Sequence, residues 1–361
     1  MAATPTPRRN LPDLPGNPAA AALAGLQLPL PLAVAYSGGA DSTVLLLAAV
    51  QRWPGQVQAI HVHHGLQDAA DTFAEHCRQV CAQLAIPLQV RRVNARNLPG
   101  ESPEDAARQA RYQALARAAR DAGLKSVLLG QHADDQVETL LLALSRGAGL
   151  PGLAAMPPVF QREGMVFVRP LLALGARGIR EWIAEQGIPV IEDPTNADTS
   201  FTRNRIRHLL LPALEECFPQ YRETFARSSR HAAQAQELLE AVAAEDLARM
   251  GGTPGITALQ QLARGRQANV LRHWLRSAHA ASASAAQLEE LLDQVADCKT
   301  RGHQIRIKVG EGFVVRQGSD WATSPEAGGP LGIIPQFRAP VRAGPPPFGR
   351  AAAFTSPSRW H

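Results

Sequence analysis

Three small groups of side chains in this chain have the types and spacing that chemistry needs. Ser37-Gly38-Gly39-Ala40-Asp41-Ser42 joins one apolar run, Leu32-Ala33-Val34-Ala35, to another, Thr43-Val44-Leu45-Leu46-Leu47. Strand, glycine turn and helix start, in that order, aim unpaired backbone N–H groups at whatever lies above the turn. Two adjacent glycines let the main chain approach that ligand without a Cβ in the way. The natural occupant is an anion, most simply a phosphate. Ser37 and Ser42 add hydroxyls, and Asp41 adds a carboxylate able to hold Mg²⁺ or orient a polar group. The Walker A pattern and G-x-G-x-x-G are both absent from this stretch, so the loop is of another kind.

The second group is Asp135 and Glu138, three residues apart at an expected helix start and so on one face. Paired acids there either complement the helix dipole or, on the ligand side of a sheet, bind Mg²⁺ or hold an ammonium group. The third group is arginine: Arg108 with Arg111, and Arg203 with Arg207, each pair sharing a helical face. Either Arg108 pairs with Glu104, or one of Arg108 and Arg111 clamps a phosphate. Arg203 and Arg207 either form a solvated basic face or meet RNA phosphates. His61, His63 and His64 close an apolar run and read as rim histidines, with too few ligands for zinc.

The elements that must position these groups follow from period and punctuation. Residues 57–65, 87–93 and 125–130 read as strands after the first. A helix is expected at 68–84, and another opens at Ser102-Pro103-Glu104 with Ser102 as its cap. Strands alternating with helices predict an α/β fold with a doubly wound parallel sheet, whose ligands collect beyond the carboxyl ends of its strands. The clusters at 37–42, 61–65 and 131–139 all fall there. Residues 1–18 form a Pro-rich extension expected to be disordered, 19–215 the catalytic domain, and 216–252 a helical connector. Residues 253–322 read as a small α+β domain with two strands, and 323–361 as a Pro/Gly-rich tail, again expected to be disordered. The basic half-helix at 203–211 is expected to stop at Pro212.

These stretches together resemble one family. SGGADS at 37–42 resembles the phosphate loop of the ATP pyrophosphatases, enzymes that split ATP into AMP and pyrophosphate. HVHHGL at 61–66, AARQARY at 106–112, GQHADDQVET at 130–139, RGAGLPGL at 146–153, RPLL at 169–172, EDPTN at 192–196 and RNRIR at 203–207 follow it, with Leu211-Pro212. In that order they resemble the tRNA(Ile)-lysidine synthases. The resemblance implies a PP-loop, adenine nucleotide alpha hydrolase-like domain with a C-terminal tRNA-binding domain over 253–322. It implies ATP and Mg²⁺ as cofactors, and L-lysine and an isoleucine tRNA with a CAU anticodon as partners. The reaction it implies adenylates C2 of the wobble cytidine and substitutes lysine there, changing codon reading from AUG to AUA.

Carried over by motif, Ser37, Gly38, Gly39, Ala40, Asp41 and Ser42 bind ATP, with Asp41 near the metal. Asp41, Arg111, Asp135 and Glu138 are the expected catalytic residues. Asp135, Glu138 and Asn196 are expected to bind lysine, and Arg108, Arg203 and Arg207 tRNA or phosphate. Gln131 stands where many relatives have histidine. A second C-terminal domain of longer members is expected to be missing, and homodimerisation is left open. Two rivals remain: another PP-loop tRNA-modifying enzyme such as a tRNA 2-thiocytidine synthetase, and a non-catalytic nucleotide- or RNA-binding protein.

Composition sets outer bounds. At 361 residues the chain suits two domains with tails. Its net charge of +5, mostly from arginine, is compatible with a polyanionic partner. Four cysteines form no C-x-x-C, which counts against the sulfur-transferring rival and suits a reducing, cytoplasmic setting. Arg8-Arg9 superficially suggests an export signal, but prolines interrupt the stretch that follows, and no membrane span is expected.

Overall fold

The computed structural model describes residues 14–63, 69–93, 103–299, 305–310, 312–317 and 320–325. The chain divides into two compact units, Met1–Leu239 and Glu240–His361. In the first, six strands form one sheet: β1 (Leu32–Ala35), β2 (Val57–His63), β3 (Leu88–Arg92), β4 (Ser126–Leu128), β5 (Val159–Arg162) and β6 (Met165–Val168). Their order is β3-β2-β1-β4-β6-β5. All neighbours pair in parallel except β5, which runs antiparallel to β6 at the edge.

The chain winds outward from β1 through β2 to β3, then returns to β4 on the other side of β1. The crevice that such a reversal opens lies between the loops leaving β1 and β4. The sequence reading expected a doubly wound parallel sheet and named β1 to β4, but passed over the β5–β6 hairpin that extends it.

Helices cover both faces. In chain order they are α1 (Pro18–Ala24), α2 (Ala40–Arg52), α3 (Ala69–Gln83), α4 (Pro103–Asp121), α5 (Ala133–Ser145), α6 (Leu150–Leu153), α7 (Ala176–Glu185), α8 (Thr202–Arg205), α9 (Leu211–Cys217) and α10 (Tyr221–Arg249). Successive strand residues point to opposite faces. Leu32 and Val34 of β1 accordingly pack with α1, α2, α3 and α7, whereas Ala33 packs with Tyr112, Leu115 and Ala116 of α4. A strand buried on both faces reads as a continuous apolar run, which is how β1 shows in the sequence. Helix α2 is buried at every position from Ser42 to Val50, so it runs through the core and its N-terminus is held rigidly.

Pro212 does not end the basic helix. After α8 the chain continues through a π turn at Ile206–Leu210 into α9, where Pro212 sits in the first turn. The wider turn releases backbone donors, so a residue lacking an N–H is tolerated there.

The second unit takes in the end of α10, then α11 (Ile256–Gln260), α12 (Arg264–His279) and α13 (Ala285–Asp297), followed by β7 (Arg306–Val309), β8 (Gly312–Gln317) and β9 (Asp320–Pro325). Its core joins Leu271, Trp274, Leu288, Leu292 and Val295 to Ile307, Val309 and Val314 of the sheet. The third strand, β9, exceeds the two expected. The division between units falls within α10, the helix expected as a connector. The extension up to Asp13, His64 to Asp68, Ser102 and the tail from 326 lie outside the described residues.

Phe167 on β6 is fully buried, stacked on Phe160 at 5.3 Å and met edge-on by Tyr112 at 5.2 Å. Phe167→Ala should lower the stability of the α/β unit by about 3–5 kcal/mol, read from the shift of its urea transition.

Candidate active site

The loop after β1 is braced from within. Gly38 has φ +88°, and a Cβ there would lie 3.2 Å from both Cys77 Sγ and His76 Cδ2, so only glycine fits. The Ser42 hydroxyl accepts from Ser37 N at 3.1 Å and donates to the Gly39 carbonyl at 3.1 Å. Thr43 Oγ1 donates to the same carbonyl at 2.9 Å. The serine hydroxyl at 42, expected to face a phosphate, is thus used inside the loop. The loop's binding capacity rests on its backbone: Gly39 is the N-cap of α2, and no side chain caps that terminus. Ile191 N donates to the Gly38 carbonyl at 2.9 Å, tying the loop to the segment that leads to Asn196.

Gly130, after β4, closes the other side. A Cβ there would meet the backbone of Asp41 and Ser42 at 3.2 Å. Two loops can lie this close only because one of them has no side chain at the contact. The sequence reading missed this glycine as a functional position; its one signal was its place directly after a strand.

The acids sit at the start of α5. His132 is its N-cap, accepting from Asp135 N at Nδ1, while the His132 N–H donates to Asp135 Oδ2 at 3.0 Å. Because Nδ1 accepts, a neutral His132 carries its proton on Nε2. That nitrogen lies 3.5 Å from Asp135 Oδ2 and 3.8 Å from Asp41 Oδ2. His132 therefore bridges the carboxylate of the β1 loop and that of α5. Burial pushes the Asp41 carboxyl above its usual range and Asp135 adds to the push, while His132, Arg180 and Arg207 oppose it. Asp134 points away and is structural. It accepts from Ala176 N, Tyr221 OH and Arg222 Nε, joining α5 to α7 and α10.

Glu138 shares the face of Asp135, as its spacing implies, but does not open to the crevice. It is fully enclosed, and its two oxygens accept from Arg203 Nε at 3.0 Å, Arg207 Nε at 2.8 Å and Arg207 Nη2 at 3.1 Å. Arg207 Nη2 also reaches Asp135 Oδ1 at 3.2 Å. Burial works against the charge of Arg207, but Glu138 and Asp135 outweigh it and hold its pKa above the usual value. Of the two acids expected to hold a ligand, Asp135 lines the crevice, and Glu138 lies behind Arg203 and Arg207. Arg203 and Arg207 are likewise no solvated basic face but are turned inward from α8 and the π turn.

The crevice has a volume of about 560 Å³. Ser37, Asp41, Arg108, Arg111, Asp135, Asn196, Arg203 and Arg207 all line it. Asn204 fixes the Asn196 loop by donating to the carbonyls of Thr195 at 2.7 Å and Asp198 at 2.8 Å. His61 also faces the crevice, its Nδ1 2.9 Å from the Tyr36 carbonyl, and burial lowers its pKa so that it stays neutral. His63 instead contacts Asp71 at 3.1 Å. Among the described residues no three metal-ligating side chains cluster, and no helix is long and apolar enough to cross a membrane.

Comparison with known proteins decides the family. Residues 26–214 match the family described as PP-loop domain, and residues 256–319 match the TilS substrate binding domain. The tRNA(Ile)-lysidine synthase of Polaromonas naphthalenivorans is 63% identical over 298 residues, 82% of this chain and 90% of that protein. The chain belongs to the tRNA(Ile)-lysidine synthase family.

Another lysidine synthase, from Burkholderia pseudomallei, is 41% identical over 79% of this chain, which spans only 60% of it. Among solved structures, the U34-tRNA thiolase NcsA of Methanococcus maripaludis with its [4Fe-4S] cluster is similar in fold. Its TM-score is 0.51 at 14% identity, covering 60% of this chain and 77% of that one. The PP-loop domain of this lysidine synthase family member uses ATP.

Two outcomes follow from the electrostatics. Glu138→Ala removes the buried counter-ion of Arg203 and Arg207, leaving them Thr139 and Asp135, and should destabilise the α/β unit. The loss should fall below the about 3–5 kcal/mol of a fully buried broken pair, because both arginines keep some solvent access. Thermal unfolding of the purified variant measures it. Asp41 is disfavoured as an anion in the folded state, so its ionisation subtracts stability at neutral pH. Asp41→Asn should therefore unfold at higher temperature than the parent at pH 7. The advantage should fade as pH falls toward the ordinary carboxylate range, where both states bind the proton.

Proposed function

We propose that the protein ligates L-lysine to C2 of the wobble cytidine in an isoleucine tRNA with a CAU anticodon, converting ATP to AMP and pyrophosphate. The supporting observation is one crevice in which an uncapped glycine loop, the carboxylates of Asp41 and Asp135, and four arginines converge. The product, lysidine, reads AUA in place of AUG. The cytoplasm, where ATP, lysine and tRNA are all present, is the setting this requires.

In the first half-reaction the cytosine O2 attacks the α-phosphorus of ATP and pyrophosphate leaves. Backbone N–H groups of residues 38–42 face the charge that develops on the phosphates, and they are fixed before the reaction starts. Arg108 and Arg111 on α4 balance further phosphate charge. Asp41 suits Mg²⁺: its carboxylate is partly exposed beside the phosphate-binding terminus, and a hard cation would take its remaining oxygens from phosphates and water. Bound there, Mg²⁺ would supply neutralisation of the pyrophosphate's charge.

In the second half-reaction the ε-amine of lysine attacks C2. The C–N bond forms as the C2–O bond breaks, and AMP departs carrying the original O2. Asp135 faces the crevice and is the group placed to take the amine's proton. Asp135 and Asn196 hold the amino acid, and Glu138 contributes by fixing Arg203 and Arg207, which face phosphate or tRNA. The unit containing residues 256–319, which matches the TilS substrate binding domain, contributes to binding the tRNA.

Incubation with ATP, labelled lysine and the CAU-anticodon tRNA should give labelled tRNA with equimolar AMP and pyrophosphate. Asp135→Asn should cut lysine transfer by about 10²-fold or more, with less effect on pyrophosphate release. Pyrophosphate release without any lysine incorporation by the unaltered protein would falsify this reading.

A further inference from the structure

One wall of the crevice carries a buried cation that the reaction steps leave unused. Arg169, directly after β6, is 3% exposed. Its guanidinium donates from Nε to Gln131 Oε1 at 3.1 Å, from Nη1 to the Pro157 carbonyl at 2.7 Å and from Nη2 to Tyr112 OH at 3.0 Å. Its Cζ also lies 4.2 Å from the centre of the Phe160 ring. Among the described residues no carboxylate comes within ion-pair distance of it. A buried guanidinium held only by neutral acceptors and a ring face is an unusual arrangement, because buried cations are ordinarily matched by acids.

The consequence lies in what the acceptors do next. Gln131 and Tyr112 both line the crevice. A guanidinium has donors only, so the Gln131 atom facing it must be the amide oxygen, which turns the NH₂ group toward the cavity. The Tyr112 oxygen accepts from Arg169, so its own proton points elsewhere. We propose that Arg169 is a positioning residue that sets the hydrogen-bond polarity of this wall. By engaging the oxygens of Gln131 and Tyr112, it makes the Gln131 NH₂ group the donor that this wall offers a ligand.

The wall thus selects a ligand with an acceptor edge, and rejects one that presents a donor there. Within the proposed reaction two ligands carry such an edge: the phosphoryl oxygens of ATP, and the O2 and N3 of the reacting cytosine. The inference therefore rests on the lysidine reading for its ligands, though not for its geometry. Arg169 is held in turn by a packed aromatic set. Phe160 and Phe167 stack beneath Tyr112, and the Arg162 guanidinium lies 4.7 Å from the Tyr112 ring centre on α4. The β5–β6 hairpin supplies Phe160, Arg162 and Phe167, which gives that edge of the sheet a role in recognition.

Three variants separate polarity from packing. Gln131→Glu keeps an oxygen for Arg169 and gives that cation a counter-ion, but turns a second oxygen toward the ligand. It should melt no lower than the parent, yet bind the acceptor-edged ligand about tenfold more weakly, the equivalent of one lost hydrogen bond with its reversal. Gln131→His, with an acceptor nitrogen for Arg169 and an N–H for the cavity, should recover affinity relative to Gln131→Glu. Arg169→Lys cannot reach three acceptors at once, and should raise KM for the contacted ligand more than it lowers kcat. Equilibrium binding of ATP and of the tRNA, each measured separately, identifies which ligand meets the wall and needs no turnover. Unchanged affinity for both ligands in Gln131→Glu overturns the proposal, as does a loss in Arg169→Lys that only tracks a fall in melting temperature. Failure of the unaltered protein to transfer lysine defeats the lysidine reading instead, and leaves the binding comparison standing.

Discussion

The enclosure of Glu138 is the constraint on which the site depends. A carboxylate with no solvent access must find cations, and here it takes two from a segment more than sixty residues further along the chain. Those bonds draw α8 and the π turn against α5. Arg207 is thereby left with a free edge that reaches Asp135. One fully buried acid thus decides where two arginines stand and which cation the crevice-facing acid meets. The Asn196 loop precedes the same segment and is held by Asn204 from within it. Its place in the crevice follows from the same anchoring.

Opposite that network, the nucleotide loop is rigid for steric rather than electrostatic reasons. Helix α2 is buried along its length, the loop's own hydroxyls brace it, and Gly38 and Gly130 remove the side chains that would hold its neighbours off. Backbone amides fixed in this way need not reorganise when charge develops on a phosphate, which is where such donors gain most of their effect. The two halves meet at His132, whose ring stands between Asp41 and Asp135. A second cavity, of about 310 Å³, is lined by His132 and Asp134 and shares Arg207 with the first.

Local features were legible in the residues alone. The loop at 37–42 shows because strand, glycines and helix are consecutive, so its geometry is a matter of neighbouring dihedral angles. The parallel sheet shows because strands buried on both faces leave continuous apolar runs. What escaped notice depends on contacts between distant segments. Asp135 and Glu138 have the same spacing whether both face a ligand or one is buried. Arg169 is a single arginine in an apolar stretch, and its partners at 112, 131, 157 and 160 come from three other segments. Pro212 reads as a stop signal, because the π turn that accommodates it has no marker in composition. The β5–β6 hairpin was visible in principle, as two apolar runs around Glu163-Gly164, and went unread.

The sequence by itself therefore determined the fold class, the nucleotide loop and, through its ordered motifs, the family. These rest on short-range geometry and on residue types that must be adjacent. Only the tertiary structure decided which acid faces the crevice, that Arg203 and Arg207 turn inward, and that Arg169 is buried behind Gln131. Each of those is settled by which charges are buried together, and burial is a property of the folded chain.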